Sequence, residues 1–276
     1  MRELQPNCLM LGPDVTTPGS ETGNVVYPMW NAVNTADNTN YTRAQATKLE
    51  GGNENNYGLL ETDANTGHPL GAFWRSRECT TNTGFSTGGW FWHPGKTEPH
   101  SLARHIDLYY RSVGLGASTI INLPPDDRGL IPEDIVAAAE AFGNDIKARF
   151  ANPIAKQGEV KRVKNNVVEL KWSEKQEINT IVLMENIVNG QKVSKYTLEA
   201  YVDGEWVELE PQNEYFVASP KSIFPRTAGY ETIGHKKIDR VKPVVTNRMR
   251  FRSLESVLPS VELRDFAVYN CEPYQV

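Results

Sequence analysis

Glu78 lies in the run Trp74-Arg75-Ser76-Arg77-Glu78-Cys79, and Gly88-Gly89-Trp90-Phe91-Trp92-His93-Pro94 follows a short way on. A carboxyl group can hand a proton to a glycosidic oxygen, while Trp and Phe faces stack on the apolar C–H patches of sugar rings. The same residue types suit a second reading, a surface glutamate paired to arginine beside a packed aromatic cluster. Arg75 and Arg77 bear on the choice. Adjacent guanidinium groups lower a carboxyl pKa, whereas a general acid needs it raised, so a catalytic Glu78 requires them to point elsewhere or to pair with other groups. Asp14 is the second carboxylate of interest, placed by Leu11-Gly12-Pro13 at the mouth of a strand expected over 7–15. A turn cap accounts for Asp14 equally well.

Such residues act only where elements hold them. Ala72-Phe73-Trp74 reads as the buried run of a short strand, with Glu78 at its C-terminal end, where parallel α/β barrels gather their chemistry. Residues 16–70 are polar and rich in Asn, Thr and Gly. A loop this long is normally functional or disordered. Its apolar anchor, Tyr27-Pro28-Met29-Trp30, predicts a partly ordered segment over the active-site face. Ser101 is positioned to cap an amphipathic helix through Leu102, Ile106, Tyr109, Tyr110 and Val113, which Gly114 and Gly116 end. Ala117 to Leu123 is the next buried strand, broken by Pro124-Pro125. Pro132-Glu133-Asp134 starts a second helix, running from Ile135 to about Phe150. This is the grammar of a (β/α) barrel, with about three or four strands where a complete one has eight.

Beyond Ala151-Asn152-Pro153 the pattern changes to period two. Val167–Trp172, Ile178–Met184, Tyr196–Val202, Trp206–Leu209, Arg248–Arg252 and Val261–Tyr269 all alternate, and Asp203-Gly204 reads as a tight hairpin turn. The pattern predicts an antiparallel β-sandwich of jelly-roll type. Trp172 and Trp206 fall within these strands, where an aromatic is usually core, so the sandwich is expected to support rather than to read sugar.

Bulk properties narrow the classes. The net charge of −5 offers no basic surface for nucleic acid. No run reaches the eighteen or so apolar residues of a membrane span. Cys8, Cys79 and Cys271 are scattered and odd in number, forming neither a disulfide framework nor a zinc site. No cofactor is implied. The N-terminus lacks an apolar stretch of secretory type and looks like the tail of a helix ended by Pro6, as in an incomplete chain.

Several longer motifs occur here in one order: Arg2-Glu3-Leu4-Gln5-Pro6-Asn7, Leu11-Gly12-Pro13-Asp14, Arg77-Glu78-Cys79, Gly89-Trp90-Phe91-Trp92-His93-Pro94, Tyr109-Tyr110-Arg111-Ser112-Val113-Gly114 and Asn122-Leu123-Pro124-Pro125-Asp126-Asp127-Arg128-Gly129. In order and spacing this set resembles the second half of the catalytic barrel of bacterial α-L-fucosidases, glycoside hydrolase family 29, in the branch cleaving α-1,3/1,4 linkages. The remainder resembles the sandwich that follows that barrel; Glu185-Asn186-Ile187, Gly190-Gln191-Lys192-Val193 and Ile233-Gly234-His235-Lys236-Lys237-Ile238 carry the discoidin-like likeness.

The resemblance implies an α/β plus all-β chain, with residues 1–150 as the C-terminal half of a (β/α)8-type barrel and 151–276 as the sandwich. It implies a retaining hydrolase of fucosylated oligosaccharides or glycoconjugates, in a periplasmic or extracellular setting. By motif position Glu78 becomes the acid/base, and Trp90, Phe91, Trp92, His93 and Asp14 become substrate contacts. The family's nucleophile is an Asp in a Trp-Phe-Asp-Gly-like motif, and no such motif occurs among the 276 residues. Thr16 stands where many members are expected to have Arg. The implied outcome is a fucosidase portion inactive by itself, the alternative a non-catalytic carbohydrate-binding protein.

Overall fold

The computed structural model describes residues 3–4, 19–20, 27–33, 67, 69–70, 73–74, 78–81, 85–159, 161–162, 166–217, 224–227 and 229–275. The strand expected over 7–15, Asp14, Arg75, Arg77 and most of the long polar loop lie outside them. The described chain opens with β1 (Gly19–Ser20), β2 (Ala32–Val33), β3 (Phe73–Trp74) and β4 (Glu78–Thr81). Next come α1 (Leu102–Arg111), a 3₁₀ turn (Val113–Leu115), β5 (Ser118–Ile121) and α2 (Glu133–Arg149). The strands β6 (Ala155–Lys156), β7 (Lys161–Arg162), β8 (Val167–Glu185), β9 (Val193–Val202) and β10 (Glu205–Glu208) follow. Then come β11 (Glu214–Val217), β12 (Phe224–Thr227), β13 (Lys237–Ser256) and β14 (Glu262–Tyr269).

The helices begin and end for local reasons. The Ser101 side chain accepts from Arg104 N at 3.3 Å, satisfying one of the free N–H groups of the first turn of α1. At the other end Ser112 Oγ donates to Leu108 O at 2.6 Å, and Gly116 takes a left-handed φ of 84°. A side chain there would be strained, and its Cβ would stand 3.2 Å from Lys236 O, so this position requires glycine. In α2, Glu133 and Asp134 occupy the first turn and Lys147 and Arg149 the last, matching the helix dipole at both ends.

β1, β4 and β5 form a parallel three-stranded sheet, and β2 pairs antiparallel with β3 in a separate one. Beside the parallel sheet, Tyr27, Met29, Cys79, Leu115 and Ala117 form a small core among the described residues. The anchor at 27–30 is tied to the C-terminal part of the chain. Tyr27 Oη donates to Thr232 O at 3.1 Å and accepts from Glu231 N at 2.9 Å, while Met29 N donates to Thr232 Oγ1 at 3.0 Å. Gln191 continues the seam by accepting from Asn31 N and donating to Met29 O. A buried phenol and buried backbone amides need partners, and the C-terminal part supplies them.

That part is built on one seven-stranded antiparallel sheet, ordered β10-β9-β13-β8-β14-β6 with β7 also on β14. Its spine is the β8–β13 ribbon, where the sequence pattern predicts separate short strands. The register slips between Arg240 and Val244 and again between Thr246 and Arg248, where the partner jumps from Gln176 to Lys171. Bulges bend a strand and raise its twist. β9 pairs with the C-terminal half of β13 and β14 with the C-terminal half of β8. The bent sheet therefore closes on itself: Leu170, Leu198, Met249 and Phe251 of one half meet Ile178, Ile181, Leu183 and Phe266 of the other in one core. Asp203 and Gly204 have φ of 50° and 95°, the left-handed pair of a type I′ hairpin turn.

Alternation fails at Thr180–Leu183, where successive residues are all buried. The outer face is covered there by α1: Ile106 and Tyr110 pack with Val182, Ile238 and Ala267. A strand covered on both faces reads as a continuous run. Trp172 packs against the inner core. Trp206 does not; it lies on the outer face opposite Tyr201, with the Arg250 guanidinium 4.2 Å from its ring centre.

Candidate active site

The aromatic motif sits on a closed loop spanning 85–100. Its neck is tied by a Ser86–Pro99 bridge, by Thr87 N to Glu98 O at 2.8 Å and by His100 N to Phe85 O at 2.8 Å. Thr87 Oγ1 donates to Lys96 O at 2.6 Å and accepts from Glu98 N at 2.9 Å. Gly88 and Gly89 take φ of 89° and 84°, which lets the tip turn back sharply. The base is stapled to α1: Phe85 stacks on the His105 ring at 3.9 Å and meets Phe142 of α2 edge-on at 6.3 Å. His105 Nε2 lies 3.0 Å from Phe85 O, so that nitrogen carries the proton and donates. Burial pushes the His105 pKa down, and the ring stays neutral.

The tip faces solvent. Trp90 is 43% and Phe91 76% exposed, so packing in a core does not explain either residue. Trp92 is half-buried and His93 exposed, with His93 N donating to Thr97 Oγ1 at 2.8 Å. One further residue positions the loop: Asn122 Nδ2 donates to Trp90 O at 2.9 Å. Asn122 directly follows β5, so the loop docks at the C-terminal end of the β4–β5 pair. The Asn122-Leu123-Pro124-Pro125 motif was the available signal for it, although a lone Asn does not reveal which carbonyl it holds.

Glu78 is the first residue of β4, with Gly19 of β1 and Ser118 of β5 as its parallel neighbours. This corrects the expectation that it ends the strand containing Trp74. That strand, β3, belongs to another sheet, and the β-forming Cys79-Thr80-Thr81 carries the chain into a new one. Trp90, Phe91, Trp92 and His93 are thus brought together on one loop. Glu78 lies at the other end of β4, roughly 10 Å of strand from the docking end at 3.3 Å per residue. Asp14 lies outside the described residues.

The loop after β5 is fixed by its own ions. Asp126 accepts from Arg128 N at 2.9 Å and from Leu130 N at 3.3 Å, and Arg128 bridges Asp126 to Glu133. Hydrogen bonds from Arg128 hold the Asp126 and Glu133 carboxyls below their usual range, so both are anions at neutral pH and neither is a proton donor. Among the described residues no group of three or more His, Cys, Asp or Glu could hold a metal ion. No helix among them is long and apolar enough to cross a membrane.

With the exposed aromatic loop placed at a parallel strand end, the chain can be compared with known proteins. No protein-family model matches it. It is 26% identical to α-L-fucosidase 1 of Arabidopsis thaliana over 218 residues, which is 78% of this chain and 35% of that protein. Its homologues are α-L-fucosidases. Among solved structures, a proposed α-L-fucosidase of Bacteroides thetaiotaomicron superposes with a TM-score of 0.72 at 26% identity, covering 98% of this chain and 55% of the other. Another, from Bacteroides ovatus, gives 0.72 at 29% identity, covering 99% and 44%. The largely antiparallel architecture matches the C-terminal β-sandwich of these fucosidases. The chain spans 35% and 40% of the length of the two curated relatives it matches.

Proposed function

We propose that this chain is part of an α-L-fucosidase-like glycoside hydrolase acting on fucosylated oligosaccharides or glycoconjugates, with α-1,3/1,4 linkages as its substrates. The observation that carries this reading is the exposed Trp90-Phe91 tip, docked by Asn122 at a parallel strand end, in a chain homologous to α-L-fucosidases over most of its length. Residues 1–150 are assigned to the C-terminal half of a (β/α)8-type barrel, supported by the parallel β1–β4–β5 sheet and its two helices. Residues 151–276 are assigned to a jelly-roll, discoidin-like sandwich, supported by the bulged β8–β13 ribbon and its single core.

In this reading Trp90 and Phe91 stack on the fucose ring and its methyl group, with Trp92, His93 and Asp14 completing the pocket. Glu78 protonates the leaving oxygen and then deprotonates water, as the acid/base of a retaining mechanism. The nucleophile comes from the part of the relatives that this chain does not match, since the 276 residues contain no Trp-Phe-Asp-Gly motif.

The test joins this chain in frame to the N-terminal barrel half of the B. thetaiotaomicron relative. The joined protein should hydrolyse fucosides, and the isolated chain should release no fucose from aryl fucosides. Glu78→Gln in the joined protein should then lower the rate on oligosaccharides by roughly 10²–10⁴-fold, the range of general-acid catalysis. Aryl fucosides with good leaving groups should suffer less. Full oligosaccharide activity in the Gln variant would remove Glu78 from this role. The missing nucleophile motif also favours a second reading, a non-catalytic carbohydrate binder, and saturable binding of fucosylated glycans with no activity in the joined protein would select it.

A further inference from the structure

A cavity of about 290 Å³ lies where α1, the start of β13 and the C-terminal segment meet, lined among others by Tyr110, Asn179, Gln212, Arg240 and Tyr274. At roughly 30 Å³ per water it has room for about ten waters. Asn179 is a fixed wall: its Nδ2 donates to Asn270 Oδ1 and Cys271 O, and its Oδ1 accepts from Thr180 Oγ1 and Cys271 N. Every lining group but one is thus either apolar, exposed or supplied with a partner, and the exception is a cation.

Arg240 places its guanidinium carbon 4.9 Å from the Tyr274 ring centre and 5.4 Å from that of Tyr110. These two rings stack on each other at 5.5 Å. The rings engage the charge from its face, but they accept no hydrogen bond along its edge. The Nε atom is buried and has no hydrogen-bond acceptor. The neighbouring arginines are all paired, Arg111 with Asp107 at 2.7 Å and Arg149 with Asp145. Among the described residues no carboxylate pairs with Arg240. A guanidinium carries five donors, no acceptor, and a charge that it keeps at any physiological pH.

We propose that this cavity is a binding site for a small oxyanion, a carboxylate or a sulfate group, borne on a body no larger than one sugar ring. The two Nη groups of Arg240 form the two-pronged donor that matches a planar carboxylate or two oxygens of a sulfate, while the buried Nε stays out of direct contact and reports on the charge beside it. Tyr110 and Tyr274 hold the fork in place, and the Gln212 amide, only weakly engaged with Pro211 O at 3.3 Å, supplies a further donor at the edge. The exposed Glu272 carboxylate at the rim opposes a second negative charge and favours a monoanion. The inference does not depend on the hydrolase reading.

The test follows the Arg240 Nε–H resonance of the full chain by ¹H–¹⁵N spectroscopy during titration at constant ionic strength. Sodium glucuronate presents the carboxylate on a ring and sodium methyl sulfate the monoanionic sulfate group; sodium chloride and glucose are the controls. A saturable shift at millimolar concentration with glucuronate or methyl sulfate is expected, and the arm with the lower Kd identifies the group. Arg240→Lys, which keeps the charge and loses the fork, should weaken binding roughly tenfold or more. Glu272→Gln, on an exposed residue that folding does not need, should tighten it roughly two- to fivefold, the scale of one screened charge contact. An equal shift with chloride, no saturation with either oxyanion, or no effect of Glu272→Gln would overturn the proposal.

Discussion

The two larger sheets of this molecule bury their surfaces by different means. In the seven-stranded sheet, β8 is covered on its inner face by the opposing half of the same sheet and on its outer face by α1. Beside the three-stranded parallel sheet the described core residues are Tyr27, Met29, Cys79, Leu115 and Ala117, and hydrogen bonds between Tyr27, Met29 and Asn31 and residues 191, 231 and 232 fix it to the larger sheet. Two buried charges lie under that seam. Lys237 pairs with Asp239, Tyr196 Oη donates to Asp239, and the Lys237 ammonium sits 4.8 Å from the Tyr27 ring centre. The larger sheet thus holds itself, while the smaller one takes its position from the larger. Any chemistry on the small sheet therefore inherits its geometry from the larger one.

The largest expected effect tests this one-way dependence. Phe251 is fully buried and packs 5.5 Å from Tyr196, so Phe251→Ala should cost about 3–5 kcal/mol. Denaturant melts followed by fluorescence should show both sheets lost together. A parallel sheet that outlasts the larger one would refute the dependence.

Next in size is a pH effect at the loop that carries Gln191. Glu185 accepts from Lys192 N at 2.5 Å and Val193 N at 3.2 Å, and its second oxygen is buried without a partner. Burial pushes its pKa up to about 7. A carboxyl with a raised folded pKa favours the folded state while it is protonated. Its contribution is full below the unfolded value of roughly 4.3 and is lost as pH rises through 7, up to about 3–4 kcal/mol. Glu185→Gln should therefore flatten the fall in stability between pH 5 and 8 and leave the variant more stable than the parent at the alkaline end; parallel stability–pH curves would refute the assignment.

Tyr27→Phe sharpens the comparison. Removing the hydroxyl strands Glu231 N and Thr232 O, at a cost of about 1–3 kcal/mol. Hydrogen exchange should speed up at 78–81 and 118–121 and stay unchanged across β8 and β13. The smallest effect belongs to the loop tip: Phe91→Ala should move stability by less than about 0.5 kcal/mol, because the ring is exposed. A larger loss would mean that the ring packs against something.

Much of this was legible in the residues. Ser101 and Gly116 bound α1 as their types demand, Asp203-Gly204 makes its hairpin, and period two located most strands of the large sheet within a few residues. The ordered motifs pointed to fucosidase homologues because multi-residue patterns in one order are seldom accidental. What local pattern could not supply is which surface each element meets. The buried run at Thr180–Leu183 needed α1 on its outer face, Trp206 turned outward because its cross-strand partner is Tyr201, and the Tyr27 anchor found Thr232 from two hundred residues away. Glu78 moved from the end of one strand to the start of another for the same reason: strand membership is set by the strands it pairs with, here β1 and β5, where Gly19 and Ser118 stand beside it in register. The sequence determined the chemistry available at each position, through propensity and periodicity acting over a few residues. The tertiary structure alone decided which of those residues stand side by side, because pairing and burial join positions that are far apart in the chain.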